Sequence, residues 1–313
     1  MLVQACRISR TLGQSCGYIR AISSDSQAAG DYCVDLVKQN DFDSYLAGLL
    51  VPADSRSAYF AVRAFNVELA MVRDQINSNQ MAGRIRFQWW RDVMRDIYEG
   101  DGASAMQQPV ATALRYHIDS KSLSSRWFER SIDARQKDLS GAQPQTLDDL
   151  EDYAEQGHSS VLYLLLETLG VRDEESEYTA SHVGVCSGIT TIMRGFPHHA
   201  SQSQMYIPAD VMADKNLEMN TFLRGPSSPE QAQALRDSVY EMASQAYGHL
   251  DKARGLNPSR SAIHALLPAV RASMFLEKLR QVDFDPYNSS LYDEESHLGL
   301  QLKLLYASTM KKI

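Results

Sequence analysis

Aspartates spaced four apart occur at Asp31/Asp35, Asp92/Asp96, Asp148/Asp152 and Asp210/Asp214. On a helix that spacing puts both carboxylates on one face. Two such faces opposed across a cleft can hold magnesium ions, which clamp and activate a diphosphate leaving group. The pattern also arises without chemistry in an acidic chain. Asp92 and Asp96 each follow an arginine, Arg91 and Arg95, as on a solvated charged face. Asp148 and Asp152 belong to Leu147-Asp-Asp-Leu-Glu-Asp152, where acids in a first turn complement the helix dipole. Asp31/Asp35 and Asp210/Asp214 read as exposed first turns.

Other chemistries fall away more simply. G-x-S-x-G is absent, since Gly157-His-Ser-Ser-Val161 fails at the last glycine. Histidines are isolated except for His198-His199, which reads as a loop pair, and none gives metal-ligand spacing on a helix face. No Walker or dinucleotide glycine pattern occurs. Gly184 and Gly188 share a helix face, where close helix packing accounts for them. Cys6, Cys16, Cys33 and Cys186 form no C-x-x-C pair, so neither zinc nor a disulfide framework is indicated, and a reducing compartment fits. No cofactor and no metal is expected. The formal charge of −8 argues against a nucleic-acid partner, which would need a basic face for phosphates.

The elements that carry these residues are helical. From Asp31 onward apolar residues recur at helical spacing, and nothing alternates long enough for a sheet. A first helix is expected from Asp31 to Leu50. Pro52 suits the first position of a second helix running to about Ile76, with Ala58, Val62, Phe65, Leu69 and Val72 on one face. A third covers Ile85 to Tyr98 and stops at Gly100; of its adjacent Trp89 and Trp90, at least one belongs in the core. Further helices are expected over 108–119, 124–139, 147–169, 177–194, 230–254, 260–281 and 296–312. No linker separates domains, so one all-α domain over 31–313 is the expectation. The best apolar run, Val161 to Leu166, is broken by Glu167 and falls short of the ~20 residues that span a bilayer. Any membrane contact is therefore expected at the surface.

Residues 1–24 differ from the rest. They carry Arg7, Arg10 and Arg20, serines and threonines at 9, 11, 15, 23 and 24, and no acid. Arg-rich, Ser-rich and acid-free is the composition of a mitochondrial transit peptide. Residues 1–30 are expected to serve as one, with cleavage between Tyr18 and Gly30.

Several stretches resemble a known family. Tyr32-Cys-Val-Asp-Leu-Val37, Leu49-Leu-Val-Pro-Ala-Asp-Ser-Arg56 and Ala61-Val-Arg-Ala-Phe65 resemble the opening of squalene and phytoene synthases. Ile189-Thr-Thr-Ile-Met-Arg194, followed by Tyr206-Ile-Pro208, resembles their second aspartate motif and the segment after it. The resemblance covers about residues 31–285 and implies a single-domain, isoprenoid-synthase-like helical bundle with a long apolar cavity. It also implies where the chemistry should lie, and there the sequence departs. Active synthases place first-motif aspartates at the positions of Ala70 and Asp74, and a phosphate-gripping arginine at Val67. In the second motif Arg194 is retained, but the two aspartates that should follow correspond to Gly195 and His199, and an amide just before it to Thr191. A diphosphate-facing His-Ser-x-Ser pattern aligns with Asn40-Asp-Phe-Asp43, which puts Asp41 and Asp43 where an anion should bind. With three of four metal-binding carboxylates replaced, the site is not expected to hold two or three divalent ions. A bare diphosphate would then meet Asp41, Asp43 and Asp74, at about 1–4 kcal/mol for each close like-charge contact. Arg194, Arg56 and Arg63 are the cations expected to offset this.

One branch of the family is similar in Pro52-Ala-Asp-Ser-Arg-Ser57, Arg63-Ala-Phe-Asn-Val-Glu-Leu-Ala70, Tyr153-Ala-Glu155 with Ser159-Ser160, Ala243-Ser-Gln-Ala246 and Val282-Asp-Phe-Asp285. That branch serves mitochondrial complex I assembly. The resemblance implies a non-enzymatic assembly factor acting early on a mitochondrially encoded membrane subunit, at the matrix face of the inner membrane. Its implied partners are complex I subunits or other assembly factors, with peripheral contact to the membrane. Two rival readings make structural demands. A working isoprenoid transferase needs Asp92/Asp96 or Asp148/Asp152 to face Asp74 across a cavity. A module for an apolar lipid or prenyl ligand needs a cavity free of large inward side chains.

Overall fold

The computed structural model describes residues 26–76, 79–292 and 297–313. The expected presequence up to residue 25 lies outside them. Helix α1 covers 26–40 and does not run on to Leu50. Asp41 leaves helical geometry (φ −144°, ψ 65°), and its carboxylate accepts from the Ser44 N–H to cap α2, Phe42–Gly48. A short acidic side chain that satisfies an orphan backbone donor restarts the helix at a new angle. Asp31 and Asp35 consequently lie within α1 rather than in a first turn.

Pro52 caps α3, Ala53–Gln75, instead of opening it. Its buried stripe includes Ala58, Val62, Phe65, Leu69 and Val72. Helix α4, Gln80–Glu99, starts five residues ahead of its apolar spacing because Asn79 accepts from the Ala82 N–H. Gly100 ends it. Trp90 is fully buried, and Phe65 meets both it and Phe128 edge-on at 5.1 Å, while Trp89 is only half-buried. Phe128 belongs to α6, Ser125–Asp138, which follows α5, Pro109–Lys121.

Thr146 and Asp149 form a capping box at the start of α7, Leu147–Ala154. A π-turn at Glu155–Ser159 joins it to the wholly buried α8, Ser160–Thr168. The expected helix over 147–169 is thus interrupted where α9, Glu174–Arg194, passes closest. A Cβ added at Gly184 would overlap Ser159, and one at Gly188 would lie 2.6 Å from the Ala154 Cβ. The two glycines let α9 run down the middle of the molecule.

Three short helices follow that the spacing did not indicate: α10, Phe196–Ser201, α11, Ala209–Asp214, and α12, Met219–Arg224. Each is too short to show a 3.6-residue period. His198 and His199 therefore sit on α10, not in a loop. Helix α13, Pro229–Gly255, packs along α9. The expected helix over 260–281 divides into α14, Ile263–Leu266, and α15, Pro268–Gln281, because Pro268 has no N–H to continue the ladder. The last element is α16, His297–Met310, which rests on α2, α14 and α15. Among the described residues there is no strand, and no helix is long and apolar enough to cross a membrane. The fold is one all-α bundle centred on α9.

Candidate functional site

A cavity of about 860 Å³ opens between α2, α3, α9, α15 and α16. Asn40, Asp41 and Asp43 reach it from the α1–α2 break, Val67, Ala70 and Asp74 from α3, and Thr191, Arg194 and Gly195 from the end of α9. Ala47, Met71, Leu267, Ala272, Leu300 and Leu304 form apolar wall. Residues scattered from Asn40 to Leu304 are brought to one surface because α3 and α9 cross the bundle core side by side with α2 and α15.

His199 is the exception, for it does not line the cavity. The turn into α10 carries it behind Gly195, where its ring packs on Tyr206 with centroids 4.6 Å apart. A Cβ added at Gly195 would lie 2.6 Å from His199 Nε2, so the imidazole fills the space beneath the glycine. Burial lowers its pKa to about 4 and keeps it neutral. His198 points the other way, with Nε2 3.8 Å from Asp74 Oδ1 at an exposed rim.

The cavity's charges are arranged in pairs. Arg194 Nη2 and Arg271 Nε approach the same oxygen, Asp43 Oδ2, at 3.2 and 3.1 Å. Arg63 lies 4.0 Å from Asp41 and beneath the Tyr59 ring. Burial, and then the neighbouring Arg271, pull the Arg194 pKa down, while Asp43 opposes both. Arg135, from α6, donates to Tyr153 Oη at 3.1 Å. Behind it, Asp138 receives Arg73 and Tyr206, each at 2.8 Å. His158, from the π-turn, faces this interior; burial first, then Arg135 and Arg63, depress its pKa to about 3. Four guanidinium groups and three carboxylates thus line one cavity. The place between Arg194 and Arg271, where an incoming anion would sit, is held by the protein's own Asp43.

Asp43 and Arg194 are expected here from the sequence, whereas Arg271, Arg135 and His158 are not. Arg271 carried a legible signal, an arginine among the buried Ala269, Ala272, Phe275 and Leu276 of one helix. Arg56, expected to face the cavity, turns away and donates to the Val51 carbonyl at 2.9 and 3.1 Å. Neither Asp92/Asp96 nor Asp148/Asp152 lines the cavity opposite Asp74. Asp96 instead accepts from Ser104 N and Oγ, and Asp92 pairs with Arg95. Among the described residues, no group of three His, Cys, Asp or Glu side chains is placed to hold a metal.

Residues 37–302 match the squalene/phytoene synthase family model. The chain belongs to the squalene/phytoene synthase family. The matched segment contains every cavity residue named above except Leu304. Within this family the chain is 39% identical to the bovine protein named "NADH dehydrogenase (ubiquinone) complex I, assembly factor 6", over 87% of this chain and 80% of that one. The human protein of the same name is 38% identical with the same coverage. The fold is shared with squalene/phytoene synthases of solved structure. A dehydrosqualene synthase crystal structure superposes with a TM-score of 0.75 at 20% identity, covering 93% of this chain and 98% of that one.

Proposed function

We propose that this chain is a catalytically silent squalene/phytoene synthase that serves as an assembly factor for mitochondrial respiratory complex I. The observation that carries the reading is the 38–39% identity, over most of both chains, to proteins named as complex I assembly factors. The cavity agrees with it. In this reading Ala70, Gly195 and His199 stand where the family carries metal-binding acids, with Asp74 alone at the rim and His199 turned out of the cavity, and Asp43 lies between two arginines where an anion would bind. In this reading Asn40, Asp41, Asp43, Val67 and Thr191 are altered diphosphate-facing positions. The protein is imported through residues 1–30, works on the matrix side and touches the inner membrane peripherally. It acts early, on a mitochondrially encoded membrane subunit, and its partners are complex I subunits or other assembly factors.

The test is to delete the gene and measure assembled complex I after reintroducing variants. Asp74→Ala should restore assembly. A stable, abundant Asp74→Ala protein that fails to do so would return chemistry or ligand binding to the old site. In parallel, the purified chain should release no diphosphate from farnesyl or geranylgeranyl diphosphate in magnesium. Turnover that disappears in Asp74→Ala would overturn the silent-enzyme reading.

A second reading accompanies the first, because the cavity is open, small residues lining it beside the larger Phe42 and Tyr292. Ala47, Val67, Ala70 and Ala272 line it, and a volume of about 860 Å³ is within the range of ligand pockets. An apolar chain would suit the wall, whereas Arg63, Arg194 and Arg271 are already engaged by Asp41 and Asp43. Mass spectrometry of the gently purified protein checks this by seeking a bound lipid.

A further inference from the structure

Helix α16 has two apolar faces. One holds Leu300, Leu304 and Ala307, each at most 4% exposed, and closes the cavity wall. The other holds Leu298, Leu302, Leu305, Tyr306 and Met310 at 63, 58, 51, 65 and 52% exposure. At 100° per residue these five side chains form one stripe opposite the buried one. Singly exposed apolar residues are ordinary, whereas five in line on one helix mark a contact surface.

Charge indicates what the surface meets. The whole chain carries −8, yet residues 297–313 contain Lys303, Lys311 and Lys312 and no acid. Helix α15 beside it adds Lys278 and Arg280 against the single acid Glu277, which Arg280 and Gln281 engage, while its Arg271 faces the cavity and pairs with Asp43. The next acids upstream, Asp293, Glu294 and Glu295, lie outside the described residues. An apolar stripe on a helix whose one charged residue is the exposed Lys303, followed by Lys311, which turns to His264, and the exposed Lys312, has the make-up of a segment that lies in an anionic lipid interface. A second copy of the chain fits less well. The stripe is about 21 Å long and about 10 Å wide, small against the ~800 Å² per partner of a stable dimer. A two-fold contact would also bring the lysines of two copies together.

We propose that the outer face of α16 docks this protein on an anionic lipid surface. The proposal deepens the reading that the protein works peripherally at a membrane and rests on it. The stripe enters the headgroup region while the opposite face keeps the cavity closed, so docking requires no unfolding.

The experiment is vesicle co-sedimentation of the full chain with phosphatidylcholine alone and with added phosphatidylglycerol. Binding should require the anionic lipid and weaken as salt rises. Leu302→Glu with Leu305→Glu should lower the partition coefficient on the order of a hundredfold, and Lys303→Gln with Lys312→Gln on the order of tenfold. All four side chains are exposed, so circular dichroism and Tm should not change. Absent binding, or binding that both variants retain, overturns the proposal. A concentration-dependent dimer that Leu302→Glu abolishes, without vesicle binding, overturns it in favour of self-association. If Leu302→Glu with Leu305→Glu still restores complex I in deleted cells, docking fails while the assembly function stands. If vesicles bind as expected but gene deletion leaves complex I intact, the assembly function fails while docking stands.

Discussion

Asp43 offers the sharpest single-residue test. Asp43→Asn keeps the shape but leaves Arg194 and Arg271 facing each other without their shared carboxylate. All three side chains are partly exposed, so after screening the loss should be about 1 kcal/mol, read as a lower urea midpoint. The same change removes the negative charge that offsets both guanidinium groups. Pyrophosphate should therefore raise the Tm of Asp43→Asn more than that of the wild type, and an equal response would remove Asp43 from the role of internal counter-ion. Asp74→Ala should alter stability by less than about 0.5 kcal/mol, since Asp74 is exposed and its neighbour is an exposed histidine. At this scale the sequence was informative wherever a position belonged to a local motif. Asn40, Asp41, Asp43, Val67, Ala70, Asp74, Thr191, Arg194 and Gly195 do share one cavity. It was uninformative where the third dimension supplies the neighbour: Arg271 meets Asp43 only after α15 folds over α2, and His199 is turned out of the cavity by a helix no period announced.

Among the elements, α9 is the most constrained. Gly184→Ala would push a Cβ against the Ser159 backbone, with its Cα 2.5 Å away. The cost should be about 1–3 kcal/mol. Gly248→Ala on α13, where nothing lies within 4 Å, is the control and should be neutral or stabilising. Equal midpoints for the two variants would show that the close passage is relaxed in solution. Leu69→Asp, on the buried stripe of α3, should place an unpaired charge in the core and remove several kcal/mol. Against a typical total of ~5–15 kcal/mol, that should show as lost protein. The long helices α3, α4, α9 and α13 were legible because apolar residues recur at helical spacing over many turns. The break at Asp41 and the π-turn were not, because each depends on local backbone bonding while the apolar period runs on across it; the split did carry a signal, Pro268 itself within the period.

At the scale of the molecule, histidines whose pKa is lowered in the fold contribute to the response to acid. A histidine whose folded pKa lies below its free value has no effect above about pH 6.5. As pH falls from there the unfolded chain takes up a proton that the fold refuses, so stability declines until the folded pKa is reached. For His158 that window runs from about 6.5 down to about 3, and for His182 and His199 down to about 4. Urea midpoints should fall between pH 7 and pH 5, by up to about 1.4 kcal/mol per pH unit for a fully buried histidine. His158→Gln should flatten the slope whatever it does to the midpoint, and an unchanged slope would locate the acid sensitivity elsewhere. The pairing of Asp43 with Arg271 has a consequence of another kind. The carboxylate lies near the start of the folded domain and its guanidinium near the end, so the cavity cannot close while the chain is still emerging from a ribosome or an import channel. Until α15 and α16 arrive, Asp43 is without Arg271 and the apolar wall stands open to whatever binds nascent chains. Such late, long-range closure leaves that wall exposed for as long as the C-terminal helices are missing.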